Sequence, residues 1–504
     1  MLKIVLLSLH LVTFASSRVV PNLDAIRTNM MMTEEKMLEG GSQTLTEKEI
    51  LVDNLIRNLK REELNAGLRN LSTFAPAMHF FQAKPLIERS KIFEIIKKIP
   101  KGASLHVHNT ASVSTTWIIR NLTYRPEAEY CTNSNGLTIF TAGDHKNCVD
   151  EAVNIQQRRF GMNFNQIRDF DAWLSSKISL VNDNPSIKHS NINEVWTEFE
   201  EIFDTIENLL TFLPFYKDYH YRMLQEFYDD GIFYTEFRTS FNELYDNFGN
   251  FYDHVQSAGV LYDVVREFGV THSNFVGAKA IYSVFRRSDE QKLAKRVTMF
   301  TQVKMNFPNF VIGFDFVGQE DLGVPLICLQ QVIGALPPET QFFFHAGETN
   351  WWGTSIDFNI IDAILFNTTR IGHGYALLKH PLLWNTVLTK NIAIEVSVIS
   401  NQVLHLVSDL RNHPAAIYFA LNLPVVITND DPSFWNALGL SYDWYYAFMS
   451  LSPATSGLKF LKQLSLNSIK FSILSAQERM KMEKIFSVEW DRFLNEILQR
   501  NSFK

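Results

Sequence analysis

Cysteine is scarce in this chain: Cys131, Cys148 and Cys328 are the three among 504 residues, too few for a disulfide-built scaffold. In an oxidising compartment Cys131 and Cys148 would close a short loop, worth on the order of 3 kcal/mol in the chain-entropy account. Cys328 follows an apolar run and reads as a buried free thiol. Basic blocks are missing too. Lys and Arg number 47 against 54 Asp and Glu, a formal charge of −7. That balance gives no footprint for nucleic acid and argues against an anionic membrane surface. Beyond the N-terminus no apolar run is long enough to span a bilayer. No short-period repeat or low-complexity segment is present.

What is present is apolar. Hydrophobic residues make up 46% and charged residues 20%, so a sizeable core can be buried. The length exceeds one ordinary core, which predicts a large domain with additions. Residues 1–17 have the pattern of a secretory signal peptide: Lys3, an apolar run from Ile4 to Phe14, then the small residues Ala15-Ser16-Ser17. With that segment set aside, the expected protein is secreted and extracellular. Sequons at Asn70, Asn121 and Asn367 fit export, whereas Pro185 disqualifies Asn184.

Residues 18–98 read as a helical region. Thr46 and Glu49 have capping-box spacing, and Leu51, Leu55 and Leu59 recur on one helical face. Such a helix either packs on the core or forms an arm at an oligomer interface. The first strand and its loop fall within 99–120. Residues 121–193 are polar, hold Cys131 and Cys148, lack regular periodicity, and read as an inserted domain. From 194 to 504, after a helical stretch to Phe227, strand-like runs alternate with helical ones. They lie at 231–237, 275–282, 310–316, 341–345, 370–373, 392–396 and 424–428. With 103–108 they make eight, which predicts an α/β fold of the (β/α)8 TIM-barrel kind. The tail is helical, capped by Ser475 and Glu478, with Met482, Phe486, Phe493 and Ile497 on its apolar face.

The chemistry gathers at strand ends. The apolar run Phe342-Phe343-Phe344 ends in His345-Ala346-Gly347-Glu348, a histidine and a carboxylate where barrel enzymes place catalytic groups. His106 and His108, two apart on a strand, share a face. His373 lies between two glycines, and Asp430-Asp431 follow the last strand. Three imidazoles and a carboxylate suit a borderline divalent ion such as zinc, with one position left open for water.

In this order the motifs resemble those of the adenosine deaminases, and more closely the secreted adenosine deaminase-related growth factors. The stretches carrying the resemblance include His345-Ala346-Gly347-Glu348, Thr354-Ser355-Ile356-Asp357 and Arg370-Ile371-Gly372-His373-Gly374. Ile399-Ser400-Asn401-Gln402-Val403-Leu404, Asn412-His413-Pro414 and Asp430-Asp431-Pro432 complete it. The resemblance covers nearly the whole mature chain. It implies that His106, His108, His345 and Asp430 hold one zinc per subunit. His373 would orient and deprotonate the attacking water, and Glu348 would enter protonated and donate to N1 of adenosine. Asp431 would contact N7 and the backbone N–H of Gly318 would contact N3. Trp196 matches a tryptophan near the family's substrate pocket, although its spacing with Phe199 and Phe203 suits a core position equally. The resemblance also implies a homodimer held by the N-terminal helices and parts of the insertion. A cell-surface receptor or glycosaminoglycan stands as a further candidate partner.

Three positions depart from the family pattern. Asn109 replaces the aspartate after His-x-His, Phe285 replaces a substrate-contacting histidine, and Ser397-Val398 replaces Cys-Pro. The expected function is a secreted zinc adenosine deaminase acting on adenosine and 2′-deoxyadenosine, with growth effects following adenosine depletion. The alternative is a receptor- or nucleoside-binding growth factor with little turnover, or a deaminase of another aminated purine.

Overall fold

The computed structural model describes residues 22–143 and 148–501, so the expected signal segment 1–17 lies outside the described residues. Eight parallel strands run round a barrel. They are β1 (Gly102–Ser104), β2 (Ile232–Thr239), β3 (Gly277–Phe285) and β4 (Val311–Val317), then β5 in two pieces (Gln341–Phe342 and His345–Ala346). β6 (Arg370–His373), β7 (Ala393–Val396) and β8 (Val425–Ile427) complete the set. Each pairs with the next in sequence order. The ring closes where the His108 N–H donates to the Asp430 carbonyl (2.9 Å) and the Asp430 N–H to that of His106 (3.1 Å).

These are the strands expected from the sequence, with two differences: the run 341–345 is broken in the middle, and the first strand is shortened. Regular pairing of the first stops at Ser104 instead of running to 108; beyond it single bridges join Val107 to Asp430 and His108 to Arg238. The reason is inside the barrel. The Leu105 carbonyl accepts from the guanidinium groups of Arg238 (2.9 Å) and Arg370 (3.2 Å). At the break in β5, the Phe343 carbonyl likewise accepts from Arg238 (3.2 Å).

Outside the barrel, α1 (Leu23–Met37) buries no residue, while α2 (Glu47–Arg69) carries the expected capping box of Thr46 and Glu49. The buried face of α2 is not the one the leucines predicted. Val52, Ile56 and Lys60 point inward, Leu55 and Leu59 are half-buried, and Leu51 is exposed. Polar anchors set this rotation. Lys60 donates to the carbonyls of Phe448 (2.7 Å) and Pro453 (2.8 Å), and Asp53 accepts the Leu458 N–H (2.6 Å).

The stretch that lacked periodicity nonetheless forms regular structure. Ala128–Thr132 pairs antiparallel with Thr138–Ala142 and Val153–Asn154, and Cys131 is joined to Cys148. Strands this short and partly exposed leave little room for an alternating pattern. Next come α3 (Ile192–Leu210) and α4 (Leu213–Asp229), separated where Pro214 opens the second helix. The terminal helix α5 (Ala476–Asn501) buries Met482, Phe486, Phe493 and Ile497, and Ser475 and Glu478 exchange both capping bonds.

Cys328 is exposed, contrary to expectation. On the helical turn Leu326–Leu329 the two leucines face the core, which turns Ile327 and Cys328 outward. Among the described residues no helix is long and apolar enough to cross a membrane.

Candidate active site

His106, His108, His345 and Asp430 meet at the C-terminal mouth of the barrel. Each offers one ligand atom, all within 4.8 Å of one another. Nε2 of His106 and Oδ1 of Asp430 are buried, 3.1 Å apart, and neither has a hydrogen-bond partner. Two buried, unpartnered polar atoms facing each other fit the ligation of a cation, and three nitrogens with a carboxylate suit a zinc-like ion. Gly372 of β6 makes room for the cluster: a Cβ there would stand 3.2 Å from the His106 ring and 3.1 Å from the His345 Cα.

A buried ionic network lies beneath. His106 Nδ1 donates to Glu395 (2.7 Å) and His345 Nδ1 to Asp315 (2.7 Å), which leaves each Nε2 free to face the ligand cluster. Arg238 joins the two carboxylates, at 3.1 Å from Asp315 and 2.7 Å from Glu395. Arg370 joins Glu395 (2.5 Å) to Glu236 (2.6 Å). Burial pushes Glu395 up, but Arg238 and Arg370 overcome it and hold its carboxyl well below the usual range. At Asp315 burial prevails over Arg238 and the carboxyl is raised.

The ligands feel the same forces. Burial and the neighbouring cationic groups hold His345 well below an ordinary histidine. His106 goes the other way: burial and Arg238 lower it, yet the carboxylates of Asp430 and Glu395 raise it. Burial would raise Asp430, but His373, His106 and His108 keep it well below the carboxylate range.

Glu348 and His373 stand beside Asp430. His373 Nδ1 is 3.5 Å from Glu348, and its Nε2 is 3.8 Å from Asp430 Oδ2. Burial, Asp430 and Glu320 push the Glu348 carboxyl well above its ordinary value, which favours its acid form. Its loop is pinned by Glu320, which accepts the N–H groups of Gly347 (3.0 Å) and Glu348 (2.6 Å) and the Asn359 amide (2.7 Å). Asp431 is likewise raised, by burial and by Asp430, and its Oδ1 has no partner. His373 and Asp430 both hold a positive φ, 59° and 55°. For non-glycine residues that costs on the order of 1 kcal/mol or more each, and such strain is characteristic of functional sites.

These groups floor a cavity of about 520 Å³, ample for a nucleoside-sized ligand. Asn109, Trp196, Phe203, Phe285 and Gly318 line its walls. Trp196 is both buried and cavity-lining, packed edge-on against Phe199. The Phe285 ring lies on Gly318, whose φ is 95°: a Cβ there would fall 2.4 Å from the ring. Asn109 Nδ2 meets Nε2 of the buried His220 at 2.9 Å, while His220 Nδ1 donates to the Tyr216 carbonyl (2.7 Å). Nε2 is therefore the lone-pair side of that ring. Asn109 donates to it, and its side-chain carbonyl is left as an acceptor.

All four expected metal ligands and the expected Glu348, His373, Asp431, Asn109, Trp196 and Gly318 come together here. Sequence reasoning missed the supporting groups Glu395, Asp315, Arg238, Arg370, Glu320 and His220. A signal existed for most of them, because charged residues inside otherwise apolar strand runs need buried partners.

A parallel barrel with a candidate cation site of three histidines and an aspartate, and a buried carboxyl beside it at the C-terminal mouth, has the layout of a barrel hydrolase. The chain belongs to the adenosine deaminase family and is a deaminase hydrolase: the family profile "Adenosine deaminase" matches residues 178–487, and "Adenosine/AMP deaminase N-terminal" matches 5–96. Human adenosine deaminase 2 is 40% identical over 94% of this chain and 94% of its own length. An adenosine deaminase of Phlebotomus duboscqi is 40% identical over 91% of this chain and 89% of its own. Among solved structures, an Arabidopsis ADAL complexed with GMP shares the fold at TM-score 0.55 and 16% identity, covering 78% of this chain and 98% of its own. A Burkholderia amidohydrolase with bound Zn does so at TM-score 0.56 and 16% identity, covering 81% and 95%.

Proposed function

We propose that the chain is a secreted zinc enzyme converting adenosine, and 2′-deoxyadenosine, to inosine or 2′-deoxyinosine and ammonia. The observation that carries this reading is the placement of Glu348, its carboxyl raised well above the ordinary value, beside the His106–His108–His345–Asp430 cluster, in a cavity of nucleoside size. A zinc ion held by those four residues would lower the pKa of water and supply a nucleophile at neutral pH. The chain's own groups do the rest. Glu348 gives its proton to N1 of the purine, so the ring accepts attack at C6 without carrying negative charge. Asp431, whose carboxyl burial and Asp430 push well above its ordinary value, contacts N7, and the Gly318 N–H donates to N3. His373 orients the attacking water. Asn109 offers its side-chain carbonyl to a sugar hydroxyl. Loss of ammonia from C6 leaves inosine.

Export is supported by the Cys131–Cys148 bond, which persists in oxidising compartments, and by the exposed sequon residues Asn70, Asn121 and Asn367, read as glycosylated. Residues 121–193 are taken as an inserted domain. Leu23, Ile26 and Met30 are exposed on α1, which supports a homodimer joined through the N-terminal helices. Growth-factor activity would follow from adenosine depletion.

The test is to incubate purified protein with adenosine and follow conversion to inosine by ultraviolet absorbance. Inosine should form and ammonia appear in equal amount. Unchanged adenosine with metal-loaded protein would reject the reading.

A further inference from the structure

Unlike His106 and His345, His373 has no ring nitrogen bonded to a carboxylate beneath the site. Its Nδ1 instead meets an amide, and that amide belongs to a chain of hydrogen bonds with a fixed direction. The chain starts on the backbone. Ala415 begins the helix Ala415–Ala420, so its N–H has no helical acceptor. It donates to His413 Nδ1 at 3.1 Å, so that nitrogen carries a lone pair. His413 is buried with its ring edge-on to Tyr375 at 5.3 Å, and burial pushes its pKa down to about 3. A neutral ring with a bare Nδ1 has its proton on Nε2.

That proton goes to Asn401. His413 Nε2 and Asn401 Oδ1 are 2.9 Å apart, and Nε2–H is the donor. The bond also fixes which way the Asn401 amide points, because the flipped amide would set N–H against N–H. Its Nδ2 therefore faces His373 Nδ1, at 3.2 Å. An amide nitrogen only donates, so His373 Nδ1 must be the acceptor. The remaining ring nitrogen, Nε2, is the one turned toward Asp430.

We propose that Asn401 and His413 are positioning residues that hold the neutral His373 ring in its Nε2–H form, so that it presents a donor, not a lone pair, to the reacting oxygen. The family resemblance gives His373 the task of removing a proton from water, which would need a lone pair on Nε2. In the form set by Asn401, the ring instead donates a hydrogen bond to the oxygen and stabilises negative charge there. Glu348 approaches His373 on the Nδ1 side, at 3.5 Å, and so leaves Nε2 facing the reacting oxygen.

The inference rests on the reading of His373 as a site residue, but its test does not need turnover. In protein labelled with ¹⁵N-histidine, the two ring nitrogens give separate signals, and the His373 pair is assigned from its loss in His373→Gln. Wild-type His373 should show a bare Nδ1 and a protonated Nε2. Asn401→Asp offers only acceptors and should invert the pattern, while His413→Leu frees the amide to turn and should mix the two forms. His413→Gln, whose amide N–H can still reach Asn401, should restore the wild-type pattern. In kinetics Asn401→Asp should lower kcat at least tenfold and move KM less than twofold. A protonated Nδ1 in the wild type, or an unchanged pattern in Asn401→Asp, would overturn the proposal. If Asn401→Asp does not fold, the wild-type and His413→Leu spectra still decide it. A protein inactive toward adenosine would reject the proposed function and leave this result standing.

Discussion

The floor and the rim of the cavity are built on different terms. At the floor, charged side chains interlock: Glu236, Arg370, Glu395, Arg238 and Asp315 form one buried chain that ends on two of the candidate metal-ligand histidines. Toward the rim the lining is Phe199, Phe203, Phe285 and Trp196, with Asn109 held by one histidine and Glu200 paired to Arg287. Removing one member of a buried ionic chain strands the others without partners, whereas a rim residue has water as an alternative. Reaction type should therefore resist change, while substrate preference should shift with single substitutions at the rim.

The largest expected effect is at the floor. Glu348→Gln keeps shape and hydrogen bonding but has no proton to give, so kcat should fall by about 10²–10⁴-fold. Metal content, read by elemental analysis, should stay at one per chain. In the wild type, kcat should decline as pH rises through the elevated pKa of Glu348, because the acid form is the one used. A second buried acid provides the contrast. Glu39, bonded to Asn467, is raised by burial from 4.5 to about 7 and lies apart from the cavity. Its contribution to stability is fully present below pH 4.5 and is lost as pH rises through 7. At about 1.4 kcal/mol per pH unit, Glu39→Gln should stabilise the fold by up to about 3 kcal/mol at pH 8 and by nothing at pH 4. Denaturant unfolding at the two pH values checks this, with activity unchanged.

Next comes the layer beneath the ligands. Glu395→Gln removes the carboxylate that orients His106 and leaves Arg238 and Arg370 short of a partner. Metal affinity, measured by chelator competition, should drop about 10–100-fold. Glu200→Gln at the rim should leave metal affinity alone. Equal losses in both variants would erase the distinction between floor and rim.

How much of this could be read from the chain follows the same division. The eight strands were legible as apolar runs alternating with helical ones, and the candidate metal ligands because four of those runs end in a histidine or aspartate, as at Phe344-His345 and Ile427-Thr428-Asn429-Asp430. The rotation of α2 was not legible. Leucine spacing marked one face, but the buried face is set by Asp53 and Lys60 reaching acceptors and donors about 390 to 405 residues away. Cys328 was misjudged because on a single helical turn only residues three apart, Leu326 and Leu329, face the core, and the two between them are turned outward. The partners of Asn109 and His373 were hidden for a similar reason: His220 lies on α4 and Asn401 on the helix Val398–Val403, and only folding brings them to the mouth.

The smallest effects should appear at the rim, and Asn109 is the sharpest place to look. The family pattern has an aspartate there, so Asn109→Asp looks like a gain of charge toward the sugar. In this chain, however, the new carboxylate would face the lone pair of His220 Nε2, whose ring is kept neutral by burial with a pKa of about 4. Asn109→Asp alone should therefore raise KM for adenosine by about fivefold, the loss of roughly 1 kcal/mol, with kcat unchanged. His220→Leu in the same chain removes the opposing lone pair and should recover most of that loss. Phe285→His should lower KM by a similar factor if its ring nitrogen reaches the sugar past Gly318. Steady-state kinetics on the four proteins, with 2′-deoxyadenosine alongside adenosine, separates these outcomes. A fall in kcat in any of them would mean that the rim is tied to the chemistry after all.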